Sequence, residues 1–261
     1  MPTFRVLQIT DTHLRSRDDQ RLLGVDTADT LRAVLAQAFA EATPDLLVAS
    51  GDLAHDPEPE SYRRFLALLG EFHQGATVCL PGNHDRLEPL ARILRSPEGM
   101  RLGDWEVLGF DSHADDRPEA EFSAADRAAL ETRMRASTAS YLLLVCHHPP
   151  LDVGCPWLDK DRIQSGGELL DWLAGDTRVR AMAFGHVHQV VESRHGDIVL
   201  LGSPSSCFQF APGSDRFTID QSAGSRQPGY RWLDLRDDGT IVSEVRRVLD
   251  YPLNIDLSNR T

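Results

Sequence analysis

Short apolar runs alternate with helical patterns over the first eighty residues, and this alternation is the strongest constraint on the fold. The runs FRVLQI (4–9), DLLVAS (45–50) and TVCLP (77–81) are almost continuously apolar, as in strands that are buried on both faces. Between them, residues 26–42 and 58–72 repeat apolar side chains at helical spacing. This βαβαβ order predicts parallel strands that are joined by right-handed crossovers.

The rest of the chain continues with strand patterns and fewer helices. Further helical patterns cover 123–136 and 167–173, and RDDGT (236–240) is typical of a hairpin turn. We therefore expect the α/β class, with two mixed β-sheets packed face to face as a sandwich and helices outside. The later strand patterns lie at 106–111, 141–147, 180–185, 198–203, 230–235 and 241–248.

No linker or low-complexity segment divides the chain, so we expect one domain over residues 1–261. The segment 203–229 is rich in Ser, Pro and Gly, and it predicts a long loop over the core. Loops of this length are usually functional or mobile.

The composition predicts a cytoplasmic protein. The N-terminus resembles no secretory signal, and no stretch approaches the ~18 apolar residues that a membrane span needs. The four cysteines show no CxxC spacing and are expected to be reduced. The formal charge of −13 disfavours nucleic acid and anionic membranes as partners. Arg15, Arg17 and Arg21 either belong to a solvated loop or help to hold an anionic substrate.

Polar side chains follow five of the predicted strands where each strand ends. In an open α/β sheet, the carboxyl ends of the strands are where ligands bind. The five segments are Thr10-Asp11-Thr12-His13, Gly51-Asp52, Gly82-Asn83-His84-Asp85, Cys146-His147-His148 and Gly185-His186-Val187-His188.

Seven of these side chains are hard or borderline donors of the kind that bind Zn²⁺, Mn²⁺ or iron. Seven donors are too many for one tetrahedral ion. They suit two five- or six-coordinate ions with a bridging ligand, for which a carboxylate with two oxygens is the natural choice. We therefore expect two metal ions, Fe, Mn or Zn, held by Asp11, His13, Asp52, Asn83, His147, His186 and His188.

These motifs, in this order, resemble those of the calcineurin-like metallophosphoesterases. The resemblance covers about residues 4–203 and implies the fold of that family. It also implies that Asp11, His13 and His188 hold one metal and that Asn83, His147 and His186 hold the other, with Asp52 as the bridge. It further implies that a metal-bridging hydroxide attacks the phosphate in line, that the catalytic His84 faces the substrate, and that Asp85 orients His84.

The chemistry of the remaining histidines is less specific. An imidazole backed by a carboxylate, as in the pair His84-Asp85, can donate a proton to a departing alkoxide. His148 is expected to hydrogen-bond to a ligand residue or to the substrate rather than to bind metal. His55, His73, His113 and His195 are expected to be surface or loop histidines.

Motifs outside the metal set are similar to those of the bacterial class III cyclic nucleotide phosphodiesterases. These are LLGVDT (22–27), GDLAHD (51–56), HHPPLDVGCPWLD (147–159), GHVHQ (185–189), GSPSSCFQF (202–210) and PGYRWLDL (228–235). This resemblance implies hydrolysis of 3′,5′-cyclic AMP to 5′-AMP. It places the phosphate beside His13, Asp52, Asn83, His84 and His188. Cys146 stands where many members of that family carry a histidine.

Several alternatives stay open at this point. Trp157, Phe208, Phe210 and Tyr230 either contact the base or pack the core. The same metals would serve a broad-specificity enzyme acting on 2′,3′-cyclic nucleotides or other small phosphodiesters, or a nuclease. A non-catalytic protein-binding scaffold is a further possibility, which the presence of His84 and of every ligand disfavours. The protein is expected to be a monomer or a homodimer.

Overall fold

A computed structural model describes residues 3–114, 117–120 and 122–258. Its strands are β1 (Thr3–Ile9), β2 (Leu46–Ser50), β3 (Thr77–Leu80), β4 (Gly99–Leu102), β5 (Trp105–Gly109), β6 (Tyr141–Val145), β7 (Val179–Phe184), β8 (Val191–His195), β9 (Ile198–Gly202), β10 (Gly229–Arg236) and β11 (Ile241–Arg247). Its helices are α1 (Thr27–Glu41), α2 (Pro59–Gly70), α3 (Leu87–Leu94), α4 (Ala124–Ala136), α5 (Pro156–Asp159) and α6 (Gly166–Ala174).

The strands form two mixed sheets. One has the order β11-β10-β1-β2-β3, in which β1, β2 and β3 are parallel and β10 and β11 are antiparallel additions. The other has the order β4-β5-β6-β7-β9-β8, with parallel pairing from β5 through β6 and β7 to β9. Two mixed sheets with outer helices confirm the predicted α/β class.

The two sheets pack against each other through an apolar interface. Val6, Val48 and Val78 of the first sheet belong to the same buried cluster as Val107 and Leu143 of the second. The other face of the first sheet is covered by α1, α2 and α3. The other face of the second sheet is covered by α4, α5 and α6. Because both faces of the central strands are buried, their sequences are continuously apolar.

Four short elements are missing from the sequence expectation: β4, β8, α3 and α5. Strands β4 and β8 are edge strands of their sheet and hold few apolar residues, so they lack the buried-strand pattern. The predicted hairpin turn joins β10 to β11, and Gly239 there has φ +80°, which suits glycine. All four cysteines are buried and have free thiols.

The long segment between β9 and β10 contains no helix or strand, although an isolated bridge pairs Phe210 with Ile219. It crosses the carboxyl ends of the strands, since the backbone N–H of Ser206 donates to the carbonyl of Thr10 (3.0 Å). In the described part of the chain, none of the helices combines the length and the hydrophobicity that crossing a membrane requires.

Candidate metal centre and active site

The seven predicted donors come together where the carboxyl ends of the parallel strands of both sheets meet. Loops after β1, β2 and β3 supply four of them, and loops after β6 and β7 supply three. Asp11, Asp52, His147, His186 and His188 are almost completely buried, and His13 is 4% exposed. Burying so many carboxylate and imidazole groups costs free energy unless they are paired with one another or bind a metal ion.

The first group of donors consists of Asp11, His13 and His188, whose ligand atoms lie within 4.8 Å of one another. The Nε2 atoms of His13 and His188 are 3.1 Å apart, and Asp11 Oδ1 lies 3.4 Å from His188 Nε2. His188 Nδ1–H donates to the carbonyl of Phe208 (2.7 Å), which leaves the lone pair of Nε2 directed into the group. Atoms that each lie about 2.1 Å from one ion are about 3.0–3.4 Å apart, so the spacing fits a cation.

The second group consists of Asn83, His147 and His186. Asn83 Oδ1 lies 3.2 Å from His147 Nε2 and 2.9 Å from His186 Nδ1. His147 Nδ1–H donates to the carbonyl of Ser50 (2.8 Å), so its Nε2 is again free to bind. The Nε2 atom of His186 is buried and has no hydrogen-bond partner among the described residues.

Asp52 lies between the two groups. Its Oδ2 is 3.6 Å from His13 Nε2 of the first group, and its Oδ1 is 3.5 Å from His147 Nε2 of the second. Each oxygen of this carboxylate therefore faces a different group. The arrangement fits the bridging role that the family resemblance implies for Asp52.

The protonation of most of these groups suits metal binding, and His147 is the exception. Burial would lower the pKa of His147, but the charges of Asp52 and Asp11 outweigh it and raise the pKa to about 9, so a cation must displace its proton. Burial lowers the pKa of His13 well below its usual value, although the charge of Asp52 opposes this. Burial likewise lowers the pKa of His186 to about 3. Burial raises the pKa of Asp52, but His147 and His84 outweigh it, and the pKa is well below the usual value. Neutral imidazoles and an ionised carboxylate are the forms that bind cations.

The backbone is strained at most of these positions. Left-handed φ is rare for residues with a side chain and persists at functional sites when the surroundings fix it. Five donors adopt it with φ between 46° and 67°: Asp11, His13, Asp52, His186 and His188. Backbone hydrogen bonds from Asp11 to Gly51 (3.0 Å) and from His13 to Asp52 (2.9 Å) hold two of the strained loops together.

Gly82 allows two loops of the site to approach each other closely. A Cβ atom at this position would overlap the carboxylate and the backbone nitrogen of Asp52. Glycine is therefore required for the loop that carries Asn83 to approach the loop that carries Asp52.

His84 lies at the cleft beside both groups of donors. Its backbone N–H donates to Asp52 Oδ1 (2.8 Å), and its half-buried ring contacts the ring of His13 at a centroid distance of 4.8 Å. The side chain lines the same cleft as His13, Asp52 and Asn83. This position is open to a bound substrate, as predicted for a catalytic group.

Asp85 does not orient His84 as predicted. Its carboxylate accepts hydrogen bonds from the backbone N–H groups of Leu53 (3.1 Å), Ala54 (3.0 Å) and Gly82 (2.9 Å). Within the described residues, no hydrogen bond joins it to the imidazole of His84. Although His84 and Asp85 are adjacent in sequence, their side chains make different contacts. The Asp85 carboxylate connects the loop after β3 to the loop after β2.

Within the described chain, no hydrogen bond joins His148 to a ligand residue, which was one of the two alternatives expected for it. Its Nε2–H donates to the carbonyl of Pro118 (3.1 Å), and its Nδ1 lies 3.0 Å from Ser112 Oγ. The ring packs instead against those of His147 and His186, at centroid distances of 4.9 and 4.8 Å.

His55 lies in a loop, as predicted, but it belongs to the site. Its Nδ1 is 3.4 Å from His13 Nδ1, and its ring stacks on that of His84 at a centroid distance of 4.8 Å. Burial, followed by the charges of His84 and Arg15, lowers the pKa of His55 to about 4. The signal that could have found it is its place three residues after Asp52 in GDLAHD.

The other three histidines of that prediction differ among themselves. His113 is buried, and its Nε2–H donates to the carbonyl of Asp85 (3.1 Å). His73 is buried away from the cleft, beside the carbonyl of Ala76. His195 lies at the surface, where it pairs with Asp171 (2.8 Å).

An aromatic wall forms one side of the cleft. Trp157 and Phe210 line it, as does Phe217, which is 41% exposed and which the sequence reasoning missed. Phe208 is buried behind the histidines rather than in the cleft. Of the two alternatives for Tyr230 the core applies, because it packs beneath α1 and its hydroxyl group donates to Glu41 (2.9 Å).

The arginines near the N-terminus are all paired with acidic side chains. Arg15 pairs with Asp56 (2.9 Å), Arg17 with Asp19 (3.2 Å) and Arg21 with Asp26 (3.1 Å). None of the three lines the cleft beside the donors. The alternative in which they hold an anionic substrate is therefore not supported.

Comparisons with known proteins agree with this geometry. The family model for calcineurin-like phosphoesterases matches residues 4–190. The chain is 37% identical to the 3′,5′-cyclic adenosine monophosphate phosphodiesterase CpdA of Escherichia coli K12, over 98% of this chain and 94% of that protein. It is 34% identical to the CpdA enzyme of Pseudomonas aeruginosa, over 96% and 92% of the two chains.

Solved structures share the fold at low sequence identity. A dimetal phosphatase from Danio rerio aligns with a TM-score of 0.68 at 13% identity, covering 95% of this chain and 97% of that one. A purple acid phosphatase from yellow lupin aligns with a TM-score of 0.69 at 13% identity, covering 97% of this chain and 53% of that one.

Proposed function

Because the chain belongs to the calcineurin-like phosphoesterase family, we propose that it is a metal-dependent phosphodiesterase that hydrolyses 3′,5′-cyclic AMP to 5′-AMP. One observation carries the proposal: two groups of potential metal donors, with Asp52 between them, lie at a cleft that has an aromatic wall. The full-length similarity to two enzymes named as cyclic AMP phosphodiesterases supports the choice of substrate.

The residues present fit two cations. Asp11, His13 and His188 would hold one, Asn83, His147 and His186 would hold the other, and Asp52 would bind both. Metal ions at such a site supply Lewis acidity, which activates water as a nucleophile and neutralises phosphate oxygens. The ligand atoms suit Fe, Mn or Zn, and availability decides among them.

His84 is assigned to the proton that the leaving group needs. Hydrolysis joins a water oxygen to phosphorus and breaks the bond to the 3′ oxygen, which must leave as a hydroxyl group. The His84 ring lines the cleft next to Asp52, and the backbone bond to Asp52 Oδ1 holds it there. A positioned imidazole that gives up a proton contributes typically 10²- to 10⁴-fold to the rate, so it is the natural general acid.

Hydrogen bonds fix the tautomers of two of the proposed metal ligands, His147 and His188. His147 and His188 each donate Nδ1–H to a backbone carbonyl, Ser50 and Phe208 respectively. These bonds fix both rings before substrate arrives, so little reorganisation is needed during reaction.

The test is a substrate panel with the manganese-loaded protein. We expect kcat/KM for 3′,5′-cyclic AMP to exceed the values for 2′,3′-cyclic AMP and bis(p-nitrophenyl) phosphate by at least about tenfold, the ratio that 1.4 kcal/mol of transition-state preference gives. Similar values for all three would favour a broad-specificity phosphodiesterase. No turnover of any of them by metal-loaded protein would contradict the enzymatic function and favour a scaffold. A cytoplasmic location and the monomeric or dimeric state stay predictions.

A further inference from the structure

The cleft continues beyond the metal donors into a pocket whose chemistry differs from theirs. Trp157, Phe210 and Phe217 form its wall, with ring centroids 4.9 Å apart between Trp157 and Phe210 and 5.4 Å apart between Phe210 and Phe217. Phe210 also stacks on the ring of His188 at a centroid distance of 4.2 Å. The wall is therefore continuous with the first group of donors. A flat apolar ring bound to the phosphate would meet this wall.

Two residues that line this pocket each carry a buried polar atom that has no hydrogen-bond partner among the described residues. Asp161 is 4% exposed and lines the cleft, yet its Oδ1 is buried and makes no hydrogen bond among the described residues. The indole Nε1–H of Trp157 is buried without an acceptor in the same part of the chain. Buried polar groups are normally satisfied, and an exception indicates a missing ligand or water.

Trp157 lies in the short helix α5, and Asp161 follows two residues after the end of that helix. The backbone N–H of Asp161 donates to the carbonyl of Leu158 (2.9 Å), and its carbonyl accepts from Ala120 (3.1 Å). The main chain at Asp161 is thus fixed on both sides. Burial raises the pKa of this carboxyl group, and the charge of Lys160 opposes the effect.

The chemistry of this pair excludes the phosphate and suits the base. A carboxylate repels an anionic phosphate, so Asp161 is not part of the charge-binding half of the cleft. A hydrogen-bond acceptor and a donor that belong to the lining of one pocket, beside an aromatic wall, complement a planar heterocycle that presents an amino group next to a ring nitrogen. Adenine has this arrangement on two of its edges, since N6 lies between N1 and N7.

We propose that Asp161 and Trp157 recognise the adenine base, with Asp161 Oδ1 accepting from the exocyclic amino group and Trp157 Nε1–H donating to the adjacent ring nitrogen. This inference rests on the proposed function. It makes both of them specificity-determining residues outside the metal centre. Hypoxanthine carries a carbonyl oxygen in place of the amino group, so that an acceptor would face an acceptor.

The experiment compares 3′,5′-cyclic AMP with 3′,5′-cyclic IMP, and uses bis(p-nitrophenyl) phosphate as a substrate without a base. The native protein is expected to prefer cyclic AMP by about 10- to 100-fold in kcat/KM, the range for a hydrogen bond to a charged group and a penalty for the mismatch. Asp161→Asn supplies an amide that can donate to the carbonyl oxygen of hypoxanthine. It should therefore reduce the preference for cyclic AMP over cyclic IMP at least about tenfold. Trp157→Phe keeps the wall but loses the donor, and should raise KM for both nucleotides.

The matched control is Asp152→Asn in the same loop, because Asp152 is exposed and pairs with Arg162. It should leave the ratio unchanged. Turnover of bis(p-nitrophenyl) phosphate by Asp152→Asn should stay within about twofold of the native value. The inference would be overturned if Asp161→Asn kept the native preference for cyclic AMP over cyclic IMP. It would also be overturned if this variant lost as much kcat/KM with bis(p-nitrophenyl) phosphate as with cyclic AMP.

A binding measurement separates this inference from the proposed function. If the native protein hydrolyses bis(p-nitrophenyl) phosphate but not cyclic AMP, the proposed substrate is wrong. The affinities of 5′-AMP and 5′-IMP, measured by titration calorimetry, then decide the inference: a preference for 5′-AMP that Asp161→Asn abolishes supports base recognition, and equal affinities in the native protein overturn it.

Discussion

The two oxygens of Asp52 face opposite ways, and its Oδ1 lies 3.5 Å from His147 Nε2 while Oδ2 points towards His13. A single carboxylate thereby connects donors from the two sheets. The connection depends on a left-handed backbone at Asp52 (φ 50°) and on the close approach of Gly82. The loops after β2 and β3 thus act together in building the centre.

Asp52→Asn should weaken both ions together. The amide keeps one oxygen but removes the negative charge that both groups of donors share, so affinity should fall at least about tenfold for each ion. Metal content after dialysis measures this, and Asp171→Asn at the exposed partner of His195 is the control. Retention of two ions per chain at full occupancy would contradict the bridge.

His84→Ala should lower turnover of cyclic AMP by ~10²–10⁴-fold with nearly unchanged metal content. The reason is that the ring lines the cleft but is expected to donate a proton rather than to bind a cation. The matched control is His195→Ala, since His195 lies at the surface on β8. Loss of metal in His84→Ala would show that His84 is a ligand.

His55→Ala should weaken the ion that His13 holds. The Nδ1 of His55 is the hydrogen-bond partner of His13 Nδ1, and loss of such partners typically costs 10- to 100-fold in metal affinity. Competition with a chelating dye measures the loss. His55→Phe keeps the stacking on His84 and should bind this ion as weakly as His55→Ala does. His55→Asn keeps a hydrogen-bond acceptor and should restore part of the metal affinity. Equal affinity in all variants would limit His55 to packing.

Asp85→Ala should lower the free energy of unfolding of the protein, and not only its activity. The change leaves the backbone N–H groups of Leu53, Ala54 and Gly82 without their acceptor, at a cost of at least about 2 kcal/mol. Thermal unfolding should shift by about 4 °C or more for a chain of this size. The same Tm as for the control Asp171→Ala would rule out this structural role.

Much of the fold followed from hydrophobic periodicity. The strands that are buried on both faces could be predicted, because their burial requires unbroken apolar runs in the sequence. The candidate metal donors directly follow the carboxyl ends of these strands. The edge strands β4 and β8 could not be predicted in this way, because only part of an edge strand needs to be apolar. Helix α3 does have a signal, since Leu87, Leu90 and Leu94 recur at helical spacing, with Pro89 tolerated in the first turn.

The finer geometry of the site was harder to predict. Candidate donors that directly follow a strand, such as Asp11 and His186, are indicated by topology. The roles of Asp85 and His148 depend on which way a side chain leaves a strained loop, and sequence adjacency says nothing about that direction. Phe217 belongs to the cleft only because the long segment before β10 folds back over the strand ends.

Anomalous diffraction from crystals grown with manganese tests the central claim most directly. The account predicts two peaks per chain, one among Asp11, His13 and His188 and the other among Asn83, His147 and His186, with Asp52 touching both. A single peak, or manganese bound only outside these donors, would contradict the two-metal phosphodiesterase described above.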